Sequence, residues 1–174
     1  MQASRHELLG RLGGSPSTLV ALVRDREEAD LLAREVPVVR CVVGDVTDPR
    51  SLDALFDGAG ARTDLIHTAG VIHPRTVAEF DAVNAAGTRN VVAAARRSGV
   101  RRMVHVSSNS PFGVNPSPGD TFRAREPYHP YLGYGRSKME GEMAVLEAAR
   151  ADRLDAVIVR PPWFYGPWQP LRQT

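Results

Sequence analysis

The sequence has almost no cysteine, few aromatic residues and no long apolar run. Cys41 is the one cysteine among 174 residues, which excludes an intramolecular disulfide and any zinc site built from several cysteines. We therefore predict no metal site. No apolar stretch approaches the length of a membrane span, and no secretory signal opens the chain. These absences predict a cytoplasmic protein that contacts no membrane.

Charge is also nearly balanced, since 22 Lys and Arg residues face 20 Asp and Glu residues. The arginines are scattered and form no basic stripe, which argues against nucleic acid as a partner. An apolar fraction of 43% and a charged fraction of 24% are those of an ordinary globular domain. The composition therefore favours one domain with a small-molecule ligand, and it allows for a homo-oligomer.

Short β-branched runs alternate with amphipathic stretches, which is typical of a parallel sheet covered by helices on both faces. The predicted strands span residues 18–23, 37–43, 64–67, 101–107 and 155–160. The predicted helices span residues 4–12, 27–35, 48–56 and 77–97, and a last helix carries Tyr134 and ends near Arg150. In the third of these helices Asp48 and Pro49 would be the N-cap and first-turn residues. The predicted fold class is therefore doubly wound α/β.

Tyr134 and Lys138 are four residues apart, so on a helix they lie on one face. A phenol has an unperturbed pKa of about 10, and a nearby ammonium would lower it toward the working range. Ser108 follows a predicted strand and could polarise a carbonyl from the other side. These residue types predict hydride transfer between a nicotinamide and an alcohol or ketone, although a Tyr and a Lys at this spacing are most often a solvated pair.

Four further motifs accompany this pair, and they share an order along the chain. They are Gly-Asp-Val-Thr-Asp at 44–48, Val-Asn-Ala-Ala-Gly-Thr at 83–88, His-Val-Ser-Ser-Asn-Ser-Pro-Phe-Gly at 105–113 and Arg-Pro-Pro-Trp-Phe-Tyr-Gly-Pro at 160–167. With the Tyr-Lys pair they resemble the extended short-chain dehydrogenase/reductase family. That family includes NAD-dependent epimerase/dehydratases, 3β-hydroxysteroid dehydrogenase-like enzymes and dihydroflavonol reductase-like enzymes. The resemblance covers residues 5–168 and implies a Rossmann-like fold.

The resemblance implies a catalytic triad of Ser108, Tyr134 and Lys138. Ser108 is preferred to Ser107 by counting back from the Phe-Gly pair that ends the motif at 105–113. Tyr134 would be the general acid–base, Lys138 would lower its pKa and hold the nicotinamide ribose, and Ser108 would orient the substrate oxygen. The expected substrate contacts are Ser108, Asn109, Ser110 and Trp163. Tryptophan at this last position differs from the asparagine of many sugar-nucleotide epimerases, which suggests a more apolar substrate.

The implied dinucleotide contacts lie mostly at strand ends. They are Arg24, Asp25, Asp45, Val46, Thr68, Ala69, Gly70, Asn84, Tyr134, Lys138, Pro161 and Pro162. Asp45 and Val46 would contact adenine, and Asn84 would brace the strand ends around the cofactor. An acidic residue such as Asp25 accepts from the free ribose hydroxyl of NAD, whereas an arginine such as Arg24 pairs with the 2′-phosphate of NADP. Both residues are present, and the order Val-Arg-Asp favours NADP slightly over NAD.

Two parts of the family pattern are missing from the sequence. The first strand with its glycine loop would precede Met1, and the substrate domain would follow Pro167. Residues 1–174 are therefore expected to be a partial Rossmann-like domain with weak dinucleotide affinity of its own. In the family strand order 3-2-1-4-5-6, the missing strand leaves a gap between residues 18–23 and 64–67. We expect that gap to be visible, or closed by direct pairing or by a partner's strand.

Three functions remain open from the sequence. The first is an NAD(P)-dependent oxidoreductase that acts on a carbonyl or secondary alcohol through the Ser-Tyr-Lys triad. The second is an NAD-dependent epimerase or dehydratase of sugar nucleotides that uses the same residues. The third is a non-catalytic remnant that kept the fold and serves as a binding module. Cofactor titration separates the first two from the third, and NAD that survives purification favours the second.

Overall fold

The computed structural model describes residues 18–123, 126–151 and 154–162. The predicted helix at 4–12 and Trp163 lie outside the described residues. The strands are β1 (Leu19–Val23), β2 (Val39–Val43), β3 (Asp64–His67), β4 (Arg102–Val106) and β5 (Ala156–Val159). The α-helices are α1 (Arg26–Glu35), α2 (Gly87–Ser98) and α3 (Leu132–Arg150). A π-helix (Phe80–Ala86) runs into α2, and a 3₁₀ turn (Ser110–Phe112) follows β4.

The strands form two parallel sheets. β1 pairs with β2 from Leu19 opposite Val39 to Val23 opposite Val43. The second sheet has the order β3-β4-β5, with His67 opposite His105. β1 and β3 share no ladder within the described part of the chain. The predicted α/β fold with parallel strands is confirmed, and closure of the expected gap by direct pairing of β1 with β3 is not seen among these residues.

Helix ends follow the side chains that satisfy their backbone groups. Asp25 is the N-cap of α1, where its carboxylate accepts the backbone N–H of Glu28 at 2.8 Å. The Glu28 carboxylate in turn accepts the N–H of Arg24, the residue before the N-cap, at 2.8 Å, an arrangement similar to a capping box. α2 ends at Gly99, whose φ of 65° lies in the left-handed region that costs glycine little.

The predicted helix at 48–56 is wrong, because this segment forms a series of turns. Backbone bonds from Ser51 to Asp48 and from Leu55 to Leu52 span three residues. The side chains compete for the same backbone groups: the Asp48 carboxylate accepts the N–H of Arg50, and the Ser51 hydroxyl donates to the Asp48 carbonyl. Such local bonds offer the chain an alternative to an α-helix.

The predicted helix at 77–97 begins instead as the π-helix. Asn84, within that segment, is 1% exposed and points into the protein. Its backbone carbonyl accepts the Thr88 hydroxyl at 2.7 Å, and a Cβ on Gly141 would lie 2.8 Å from the same oxygen. The wide π turn therefore brings the backbone of one helix against the glycine of α3, a geometry often found at functional sites.

Two apolar clusters lie on separate sheets. The smaller one joins β1, β2 and α1 around Val23 and Leu32. The larger one lies between the second sheet and helices α2 and α3, around Met103 and Val145, and it also contains Val46. Val46 follows β2, so its side chain connects the two-stranded sheet to the larger core.

The contact at Val46 predicts an effect for Gly87. A Cβ on Gly87 would lie 2.7 Å from Val46 Cγ2, which is closer than packed carbon atoms approach. We expect Gly87→Ala to lower the free energy of unfolding by about 1–3 kcal/mol, because overpacking forces backbone or rotamer shifts. Urea unfolding measures it. Gly119→Ala is the matched control, since nothing lies within 4 Å of its Cβ, and an equal loss there would contradict the packing argument.

Candidate active site

The predicted site residues gather at the carboxyl ends of the parallel strands. Arg24 and Asp25 follow β1, and the segment 44–46 follows β2 with the Gly44 N–H bonded to the Val23 carbonyl at 2.8 Å. The segment 68–70 follows β3, the segment 107–110 follows β4 and Pro161 follows β5. Ligands of open α/β sheets bind at this edge, so the structure brings the predicted contacts to the expected side.

Ser108 and Tyr134 meet across this edge. The Ser108 hydroxyl lies close enough to the Tyr134 phenol to act toward a lower pKa of Tyr134. Burial has the larger effect, and the net result is that the pKa of Tyr134 is raised above its ordinary value. The phenol is therefore protonated at neutral pH, so it can donate a proton.

Ser107 differs from its neighbour as strand alternation requires. Its side chain is buried, and its hydroxyl has no hydrogen-bond partner among the described residues. Its backbone N–H instead bonds to the Val159 carbonyl at 2.8 Å, which extends the β4–β5 ladder. Of the two serines, Ser108 is thus the one that faces Tyr134.

Lys138 corrects one sequence-based expectation. Its side chain is 1% exposed, and Nζ donates to the Val106 carbonyl at 2.9 Å, at the end of β4. This ammonium does not lower the pKa of Tyr134, which is set mainly by the burial of the phenol. Burial also lowers the pKa of Lys138 itself to about 8, against the opposing charge of Glu142. Because this pKa lies above 7, the Lys138 amine is still mostly protonated at neutral pH.

Asn84 fastens the loop after β3 to the helix that carries Tyr134. Its amide accepts the Val71 N–H at 2.8 Å and donates to the Val71 carbonyl at 3.0 Å. The same amide donates to the Ser137 hydroxyl at 3.0 Å, and that hydroxyl donates to the Tyr134 carbonyl at 2.9 Å. The bracing role expected of Asn84 thus has a geometric basis, and it fixes the half-buried segment 68–70 just before Val71.

A buried ionic cluster lies one turn beyond Lys138, and sequence reasoning missed it. Glu142 is fully buried. Its carboxylate accepts hydrogen bonds from two nitrogens of the Arg160 guanidinium, Nη2 at 2.9 Å and Nε at 3.0 Å. The Tyr128 hydroxyl donates to the same carboxylate at 2.8 Å. Phe112 stacks on Tyr128 and lies under the guanidinium, 4.7 Å away. The cluster joins α3, the end of β5 and the loop before α3.

His67 and His105 form a second buried pair, stacked at 5.2 Å between β3 and β4. Burial lowers the pKa of His67 to about 3 and that of His105 to about 2, with the Lys138 charge acting in the same direction. The His67 Nε2 lies 3.0 Å from the Thr88 hydroxyl. Since that hydroxyl donates to Asn84, His67 must be the donor. His67 is thus a packed, buried residue at the end of β3.

Polar side chains suited to a dinucleotide lie at both ends of the candidate site, the end near Arg24 and Asp45 and the end near Lys138. The Arg24 side chain is 72% exposed at the end of β1, where a guanidinium can meet a phosphate. Asp25 is used differently, since its carboxylate caps α1. Asp45 is exposed and holds its own turn by accepting the N–H and hydroxyl of Thr47, both at 2.8 Å. These residues fit a ribose and adenine end, and Lys138 fits a nicotinamide end.

A cavity of about 340 Å³ opens beside Asn109. It is lined by residues of the loop after β4 and of the end of β5, namely Asn109, Phe112, Phe122, Arg123, Ile158, Arg160 and Pro162.

Among the described residues no group of His, Cys, Asp and Glu side chains could hold a metal ion, and no described helix is long and apolar enough to cross a membrane.

The protein y4nL of Sinorhizobium fredii is 45% identical over 166 residues, covering 95% of this chain and 46% of that protein. The ceramide reductase of Caulobacter vibrioides is 38% identical over 155 residues, covering 84% of this chain and 42% of that enzyme. The chain thus spans about half the length of these relatives. The crystal structure of a double mutant of DesIV, a dTDP-glucose 4,6-dehydratase from Streptomyces venezuelae with NAD and DAU bound, superimposes with a TM-score of 0.78 at 26% identity, covering 95% of this chain and 53% of that one.

These similarities agree with the Rossmann-type arrangement of parallel strands and with the site at their carboxyl ends. The model of the NAD dependent epimerase/dehydratase family matches residues 6–174, nearly the whole chain. The chain belongs to the NAD dependent epimerase/dehydratase family.

Proposed function

We propose that the full-length protein is a dinucleotide-dependent reductase of a ketone or aldehyde, with Ser108, Tyr134 and Lys138 as its catalytic residues. The observation that carries the proposal is the proximity of the Ser108 hydroxyl to the Tyr134 phenol, with the buried Lys138 ammonium one helical turn from Tyr134. A carbonyl oxygen at this point would receive two hydroxyl donors. Two preorganised donors stabilise negative charge that develops on that oxygen in the transition state.

The protonation state of Tyr134 supports reduction of the carbonyl as the direction of the reaction. A nicotinamide dinucleotide, with Lys138 among the residues that would hold it, would supply the hydride to the carbonyl carbon. Tyr134 gives its phenol proton to the carbonyl oxygen, which becomes the alcohol, and the resulting phenolate takes a proton from solvent. Since burial raises the pKa of Tyr134, the group begins the reaction in its protonated form. Ser108 donates to the same oxygen and keeps its proton.

Lys138 has a separate role in this proposal. Its ammonium already donates to the Val106 carbonyl and retains two further N–H groups. At this strand end they suit the hydroxyls of a nicotinamide ribose, as the family resemblance implies. A pKa of about 8 means that the ammonium is lost as the pH rises through that value. Hydride transfer should therefore weaken above about pH 8 for this reason.

The surroundings of Ser108 favour the reductase over the alternative, a sugar-nucleotide epimerase or dehydratase. Elimination of water needs a general acid for the leaving hydroxyl and a base for the carbon-bound proton. The turn from Ser108 to Gly113 offers amide and hydroxyl groups and no carboxylate. The similarity to a ceramide reductase supports reduction of an apolar substrate, whereas the similarity to DesIV supports the alternative. NAD that stays bound through purification would favour the alternative, and a non-catalytic binding module would show no turnover.

The choice of dinucleotide is also part of the proposal. The Asp25 carboxylate is engaged as a helix cap, while the Arg24 guanidinium is mostly exposed at the strand end, with a loose ion pair to Glu28 at 4.0 Å. This arrangement supports NADP as the preferred cofactor. We expect Arg24→Ala to weaken NADPH binding about tenfold or more, as one charge-assisted contact predicts, with little change for NADH. Calorimetry on the full-length protein with both dinucleotides measures the two affinities, and an equal loss for both would contradict the assignment.

The neighbouring serines provide a matched test of the proposed function. Ser108→Ala removes one donor to the reacting oxygen, so we expect kcat to fall about 10²–10³-fold. Ser107→Ala removes a hydroxyl that has no partner among the described residues, and we expect kcat to stay close to that of the wild type. The rates are measured on the best substrate from a panel of ketones and aldehydes of increasing chain length. If Ser107→Ala is the variant that loses activity, the assignment of the triad is wrong.

A further inference from the structure

Ser110 contacts the proposed substrate-orienting hydroxyl at two points. Its backbone N–H donates to Ser108 Oγ at 3.2 Å. Its own hydroxyl lies 3.1 Å from the same Ser108 oxygen, and either of the two could be the donor. A third neighbour, Asn109 Oδ1, accepts from Ser108 at 3.4 Å, the longest contact of the set.

The backbone of Ser110 is itself fixed between Ser108 and the helix that carries Tyr134. Its carbonyl accepts the N–H of Gly113 at 3.2 Å and the N–H of Tyr131 at 3.5 Å. A Cβ on Gly135, the residue after Tyr134, would lie 2.6 Å from this carbonyl. Ser110 thus packs directly against the first turn of α3, and its hydroxyl has little freedom to move away from Ser108.

The two contacts decide what the Ser108 hydroxyl can do. A serine hydroxyl has one proton to donate and two lone pairs that accept. If Ser110 donates both its N–H and its O–H, both lone pairs of Ser108 are filled. The Ser108 hydroxyl can then act only as a donor, and its acceptor Asn109 Oδ1, 3.4 Å away, is a weak partner that a substrate oxygen could replace.

We propose that Ser110 is a positioning residue that holds the Ser108 hydroxyl as a donor to the substrate oxygen. This inference rests on the proposed function and extends it, because it assigns to Ser110 an action on Ser108 in place of a direct substrate contact. Ser110 reaches no reacting atom in this role. Its effect must therefore pass through Ser108, and that requirement makes the inference testable.

A double-mutant cycle in the full-length protein tests it, with the ketone or aldehyde that gives the highest kcat/KM in a panel of increasing chain length. We expect Ser110→Ala to lower kcat about 3- to 10-fold, the value of one neutral hydrogen bond, with KM nearly unchanged. Ser110→Thr keeps the hydroxyl and should restore kcat. In the Ser108→Ala background, Ser110→Ala should cost nothing further. Equal losses in both backgrounds, or no loss when Ser108 is present, would overturn the inference.

A measurement without substrate provides a second readout. Tyrosines labelled with ¹³C at Cζ report hydrogen bonding of the phenol by NMR, and Tyr134→Phe identifies the Tyr134 resonance. We expect Ser108→Ala and Ser110→Ala to move this resonance in the same direction, and the double variant to move it no further than Ser108→Ala alone. No movement in Ser110→Ala would overturn the inference alone. Full activity in Ser108→Ala would instead overturn the proposed function.

Discussion

Replacement of Tyr134 by phenylalanine is expected to lower kcat about 10²–10⁴-fold, the usual contribution of a positioned general acid. The change removes the phenol hydroxyl and keeps the ring, which contacts Phe80 with centroids 5.8 Å apart. Folding and dinucleotide affinity should therefore change little. Steady-state kinetics with the full-length protein, together with calorimetry for the dinucleotide, separate loss of chemistry from loss of binding.

Tyr131→Phe is the matched control for this experiment. Tyr131 lies three residues earlier, and its side chain is exposed, outside the contact with Ser108. We expect activity near that of the wild type. A Tyr134→Phe enzyme that retains most of its kcat, or an equal loss in Tyr131→Phe, would show that another group supplies the proton.

The largest expected effect on stability comes from Arg160→Met. Glu142 is fully buried, and this variant removes the guanidinium that neutralises it. Leaving a buried charge without its partner costs about 3–5 kcal/mol, a large part of the 5–15 kcal/mol that is typical of a domain (about 10 kcal/mol on average). We expect the midpoint of urea unfolding to fall accordingly.

Arg102→Met is the matched control, because Arg102 also pairs with a carboxylate, at 2.7 Å from Asp155. Both side chains of that pair are about half exposed, so its loss should cost about 0–1 kcal/mol. If Arg160→Met is too unstable to purify, the double variant Glu142→Met/Arg160→Met should recover stability, because the carboxylate that Arg160 neutralises is removed together with it. Similar losses in Arg160→Met and Arg102→Met would contradict the burial argument.

Local patterns predicted the strands well. The strand Asp64–His67 was predicted to the residue, since a short apolar run between polar residues defines both ends. The predicted helix end at residue 97 is one residue from the observed end at Ser98, where Gly99 adopts a left-handed conformation at low cost. The order of motifs along the chain also predicted Ser108, Tyr134 and Lys138 as one site, and their catalytic roles stay a prediction.

Other features depend on contacts that no local pattern encodes. The segment 48–56 has good helix-start residues, yet bonds from the Asp48 and Ser51 side chains favour successive turns. The pKa of Tyr134 depends on the burial of the phenol and, to a smaller extent, on the Ser108 hydroxyl. The partnership of Glu142 with Arg160 spans 18 residues. The sequence offered only the weak signal of a glutamate four residues after Lys138.

The division of the strands into two ladders has a consequence for how the ends of the site are held apart. Arg24 and Asp45 follow strands of the two-stranded sheet, whereas Ser108 follows β4 of the three-stranded sheet and Lys138 bonds to the last residue of β4. Among the described residues the span between these ends is set around Val46, whose carbonyl accepts the Asn90 amide at 2.9 Å. Side-chain contacts, and not a β ladder, thus set the distance between the two ends of the site there. A ligand that touches both ends would cross-link the two sheets and make them unfold as one cooperative unit.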